Sequence, residues 1–203
     1  MRGAVTLTPD LLRYRPTQPE EPRMDVTAED VITFWREAGP DRWFGGGPDF
    51  DARCRERFHD AHMAASRAEF VHWEEQADSA LALVLLLDQI PRNIFRGSAH
   101  VYATDPMARA VAERSIGHGH DMQVEPELRP FFYLPFMHSE AMLDQQRAVE
   151  LYQSLNTPGA DKWALHHRAI IERFGHFPHR NRLLGRPTTP AEQAWLDEGG
   201  FGG

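Results

Sequence analysis

The stretch Ser79-Ala80-Leu81-Ala82-Leu83-Val84-Leu85-Leu86-Leu87-Asp88-Gln89-Ile90-Pro91 decides the fold. It is apolar almost all the way round, which is the pattern of a helix enclosed by other elements rather than one lying on a surface. The apolar run 80–87 is well short of the roughly 18 apolar residues that a membrane span needs. It therefore reads as a buried, central helix over 79–90, stopped by Pro91. Asp88 falls on the face carrying Leu81, Val84 and Leu85, and a carboxylate buried there needs a partner or a proton. Arg92 and Arg96, in the turn 91–97, are the nearby cations, and Arg180 is a third from far along the chain.

Outward from this helix the punctuation is helical throughout. Thr27, with Asp30 three residues on, predicts a helix over 28–38 that ends at Gly39-Pro40. The Gly45-Gly46-Gly47-Pro48 turn precedes a long helix over 50–68. Thr104-Asp105-Pro106 predicts a cap with proline in the first turn and a helix to about Gly117. Helices follow over 137–155, over 161–174 with Asp161 as the cap, and from the Thr189-Pro190-Ala191-Glu192 capping box to about Glu198. No alternating strand pattern occurs. The expectation is one all-α domain over 24–203, with about seven helices and some antiparallel pairs. Residues 1–23, broken by Pro9, Pro16, Pro19 and Pro22, read as a poorly ordered extension whose Leu11, Leu12 and Tyr14 dock in part on the body. Met24 is a candidate start.

The formal charge of -8 over 203 residues argues against nucleic-acid binding, which calls for a basic face. The single cysteine, Cys54, excludes an internal disulfide and reads as an ordinary surface or half-buried thiol. Together these point to a cytoplasmic protein. Of 22 basic residues only Lys162 is lysine. Arginine as such therefore carries little weight here, except beside polar groups in apolar surroundings.

Helical phase, about 100° per residue, gives the candidate site. In the helix from Met137, His138 and Gln145 fall within the stripe Ala141, Met142, Val149 and Tyr152. Glu140, Arg147 and Glu150 fall on the opposite, solvated side. In the helix from Asp161, His167 sits amid Trp163, Ile170 and Phe174. The turn that follows, Phe174-Gly175-His176-Phe177-Pro178-His179-Arg180-Asn181, crowds ligating and proton-carrying groups around a glycine and a proline.

Convergence of these groups predicts a pocket for a polar or anionic small molecule. In it His179, His138 and Asp88 carry acid–base chemistry. Arg92, Asn93, Arg96, Gln145, His167, Arg180 and Asn181 bind the substrate. The competing reading is a buried structural network. His118-Gly119-His120-Asp121 reads as a solvated loop, and His59 and His62 as a wet helix face. A metal would need His138, His167, His179 and Asp88 to converge and is the lesser reading. No phosphate loop or nucleophile elbow is present, and no cofactor is indicated.

The motifs Phe34-Trp35, Trp43-Phe44, 85–97 and 133–140, together with Asp144-Gln145, His167-Arg168, 174–181 and Leu184-Gly185-Arg186, resemble the bacterial domain of unknown function 924. The resemblance runs from about Val26 to the end. It implies a helical fold akin to tetratricopeptide-repeat proteins and no established activity. Two positions depart from the family pattern: Ile90 stands where phenylalanine is common, and His176 where arginine is common. If that arginine supplies a fixed charge, His176 does so only when protonated. The fold analogy brings an alternative function, a non-catalytic module that binds peptides in a groove. The inward-facing polar groups count against it.

Overall fold

Residues 26–200 are described in the computed structural model of the chain. They form α1 (Ala28–Ala38), α2 (Pro40–Trp43), α3 (Gly47–Ser66), α4 (Ala77–Ile94), α5 (Asp105–Gly117), α6 (Leu134–Met137), α7 (Met142–Ser154), α8 (Lys162–Phe174), α9 (Asn181–Leu184) and α10 (Pro190–Asp197). Short 3-10 turns link several of these, and no strand occurs among the described residues. The fold is all-α, and seven of the helices run for eight residues or more. The expectations for 1–23 and Met24, with Leu11, Leu12 and Tyr14, lie outside the described residues.

Helix α4 is the axis. Every residue from Ala80 to Pro91 is buried, and α4 packs against α1, α3 and α5. Each of its fully buried leucines contributes about 1.5–3 kcal/mol of transfer free energy. Aromatic closure comes from Trp35, Phe50 and Phe131, with the Trp43 indole N–H donating to the Trp35 carbonyl at 2.7 Å. The capping boxes at Thr27/Asp30 and Thr189/Glu192 form as the sequence predicts.

Pro91 does not stop α4, which continues to Ile94. A proline inside a helix removes the bond to the carbonyl four residues back, here that of Leu87. The Thr104 hydroxyl takes that place, donating to the Leu87 carbonyl at 2.6 Å. Thr104 therefore holds the N-cap position of α5 without making a side-chain cap bond there. The flanking carbonyls are also served by side chains. His62 Nδ1 meets the Leu86 carbonyl at 2.8 Å, and Arg92 donates to that of Asp88. Because His62 is fully buried and burial lowers its pKa, the neutral ring donates through Nδ1–H.

The helix expected over 137–155 is broken. Residues 138–141 separate α6 from α7, and side chains cap the break. Gln145 Nε2 donates to the carbonyls of Met137 at 2.8 Å and Ser139 at 2.6 Å. The Ser139 hydroxyl accepts from the Ala141 N–H and donates to Asp144 at 2.6 Å. The phase argument therefore fails for Glu140. It is not on a wet face but accepts from the Phe177 N–H at 2.9 Å and from Arg186 at 2.7 and 3.0 Å.

Three further expectations are corrected by burial. Cys54 is fully buried in the core rather than at the surface, and burial pushes its thiol up to about 12. His62 is enclosed under α4. His120 and Asp121 are buried too, with Asp121 accepting from the Tyr133 hydroxyl at 2.7 Å.

Candidate functional site

Two apolar cores are present among the described residues. The large one surrounds α4; the small one comprises Ile170, Ile171 and Phe177, with Met142, Phe174 and Trp195 against it. The predicted polar groups gather where the two meet. Asp88 and Arg92 project from α4, Asp105 from the first turn of α5, and His138 from the end of α6. His167 comes from α8, and His179 and Arg180 from the 3-10 turn Pro178–Arg180.

Asp88 has no exposed surface. One carboxylate oxygen lies 2.8 Å from His138 Nδ1 and 3.3 Å from Arg92, and the other accepts from Gln89. Burial by itself raises a carboxyl pKa, but Arg92 and then His138 outweigh it and hold Asp88 well below the usual range. His138 is lowered, chiefly by burial and then by Arg92. A neutral imidazole facing an ionised carboxylate places its proton on Nδ1. The lone pair is then on Nε2, where no hydrogen bond is made among the described residues.

Arg92 grips Asp105 through both terminal nitrogens, each at 3.1 Å. Asp105 in turn lies 3.8 Å from Arg180. Burial raises the Asp105 carboxyl despite Arg92. The Arg180 guanidinium carbon sits over two rings, 4.4 Å from the centre of Tyr102 and 4.5 Å from that of Phe177. The Phe177 ring also meets His167 and His179, each at 5.6 Å between centroids. Burial lowers His167 to about 3 and, with Arg180, His179 to about 4. His167 Nδ1 bonds to the Trp163 carbonyl one turn back. Thus one series of contacts runs from His138 through Asp88, Arg92 and Asp105 to Arg180 and the Phe177 histidines.

The remaining predicted residues divide. Gln145 is buried and caps α6, and its Oε1 has no hydrogen-bond partner among the described residues. Asn181 is fully buried, with both amide atoms in the same condition. Asn93 bonds back to the Gln89 carbonyl within α4. Arg96 is not brought to this cluster: it is paired with Asp51 of α3 at 2.7 and 3.1 Å. His176 lies 2.6 Å from Glu192 of α10. Among the described residues no group of three or more His, Cys, Asp or Glu is placed to hold a metal ion.

Sequence reasoning missed Asp105, Tyr102 and the Glu140–Arg186 clasp. Asp105 was hidden as a helix-start residue, and Glu140 by a phase that does not extend to it. Glu140 and Arg186 both stand in the motifs that carry the family resemblance, which was the available signal.

The chain is 54% identical to a protein of unknown function from Agrobacterium tumefaciens whose structure is solved. The match has a TM-score of 0.81 and covers 84% of this chain and 97% of that one. No curated protein matches it. Residues 31–200 match the family described as a bacterial protein of unknown function (DUF924), and the chain belongs to that family.

Proposed function

We propose that this protein is an enzyme acting on a small anionic molecule, with His138 as general base, Asp88 as the group that orients it, and buried arginine as the anion holder. The observation that carries the reading is the 2.8 Å contact between His138 Nδ1 and a fully buried, ionised Asp88. A carboxylate in that position fixes the imidazole tautomer and stabilises the imidazolium formed when Nε2 takes a proton. Asp88 cannot swing away, because Gln89 and Arg92 hold it. His138 is neutral at physiological pH and hence ready to accept a proton. Burial of these groups at the junction of two cores favours a small substrate over a peptide laid in an open groove.

The test is a turnover screen of small carboxylates, phosphates and their esters with wild type, His138→Gln and Asp88→Asn. General-base catalysis predicts that His138→Gln loses about 10²–10⁴-fold in rate while its circular dichroism is unchanged. Equal rates in wild type and a folded His138→Gln would reject the assignment.

A further inference from the structure

We infer that Asp105 is a positioning residue for the His138–Asp88 pair: it holds the Arg92 guanidinium to itself, and so keeps Arg92 from taking the Asp88 carboxylate away from His138. The inference rests on the functional reading above and deepens it. Arg92 stands four residues after Asp88 on α4, on the same helical face. An arginine so placed, with no other anion at hand, would close on the carboxylate with two parallel N–H groups, the strongest geometry open to it. Here it does not. Arg92 Nη1 lies 3.3 Å from Asp88 Oδ1 and donates to the Asp88 backbone carbonyl instead. Its hydrogen bond to a carboxylate goes to Asp105, from Nη2 to Oδ2 at 3.1 Å, with Nη1 also 3.1 Å from Oδ1. Asp88 Oδ1 is thereby left for the His138 ring at 2.8 Å.

Charge points the same way. Asp88 and Asp105 offset Arg92 and Arg180, the latter 3.8 Å from Asp105, and His138 is neutral in that balance. Without Asp105 a buried cation stands uncompensated beside His138, and Asp88 is the carboxylate within its reach. The lost acceptor and the surplus positive charge both oppose the imidazolium that a general base must form. The neighbouring His167 and His179 are held neutral by burial and add no charge to redress this. A purely structural role would rest on the place of Asp105 in the first turn of α5, where a carboxylate favours the helix N-terminus. That role would alter stability and leave the His138 ring as it is.

The test is the ring tautomer of His138, read from its two nitrogen resonances at pH 7 in the full chain with labelled histidine. Wild type is expected to carry the proton on Nδ1. Asp105→Asn, equal in size but uncharged, is expected to move it predominantly to Nε2. Because Asp105 acts through Arg92, the same substitution should have no such effect when Arg92→Met is also present. The inference is overturned by a folded Asp105→Asn whose His138 keeps the Nδ1 proton, or by a shift that persists in the Arg92→Met background. Should the variants not fold, scalar coupling across the hydrogen bond decides in wild type. Coupling of Arg92 Nη to the Asp105 carboxyl carbon supports the inference; its absence there, or coupling to the Asp88 carboxyl carbon, overturns it. Turnover that survives His138→Gln overturns the enzyme reading alone. A tautomer indifferent to Asp105→Asn overturns the positioning alone.

Discussion

Three histidines of the site, His138, His167 and His179, are held neutral by burial, and that gives the protein a defined response to acid. Each has a folded-state pKa below the ordinary value near 6.5, so below pH 6.5 the unfolded chain binds more protons than the folded one. Stability therefore falls as pH drops, and His179 and His167 contribute until about pH 4 and about pH 3 respectively. Each such group adds a slope of at most about 1.4 kcal/mol per pH unit. Asp88, depressed below its ordinary value, acts in the same direction once pH falls below about 4. Urea unfolding between pH 7 and pH 4 should show a steady loss, and His167→Gln should flatten it; a level profile between pH 6.5 and pH 5 would contradict the assignment. Of these residues, Asp88 was legible because a carboxylate on an apolar face is conspicuous. Asp105 was not, because an acidic residue before proline at a helix start has a sufficient local explanation.

At the scale of elements, α4 shows why proline is a weaker stop than a sequence rule makes it. The helix passes Pro91 because α3 and α5 bring donors to the carbonyls around it, and those donors come from 24 and 17 residues away in the chain. No reading of the segment alone could supply them. Thr104→Val should leave the Leu87 carbonyl buried and unpaired and destabilise the fold by about 1–3 kcal/mol, whereas Thr104→Ser should retain most of the stability. Adding Pro91→Ala to Thr104→Val restores a backbone donor and should recover part of the loss. Chemical denaturation of wild type, Thr104→Val, Pro91→Ala and the double variant forms the cycle, and additive effects would mean that the hydroxyl and the proline are unrelated. The break between α6 and α7 was missed for the same reason. Gln145 carries a regular helical phase from Met142 onward, and its role in capping the preceding turn is visible only in three dimensions.

For the whole molecule, the helical class was readable from capping and apolar pattern, but the presence of two cores was not, since the second contains few residues. Glu140 and Arg186 join the small core to the large one, with Glu140 also holding the Phe177 N–H. Glu140→Ala should loosen that junction, so amide exchange at Phe177 and across α8 and α10 should quicken. The large core should be unaffected, and faster exchange throughout α4 would argue against a separate junction. Cys54 gives an independent reading of the same experiment. As the chain's single thiol, fully buried on α3 and hard to ionise, it becomes reactive only when the large core opens. The native chain thus carries its own chemical clock for global unfolding: the rate at which a thiol reagent labels Cys54 counts complete openings and ignores the partial ones at the site.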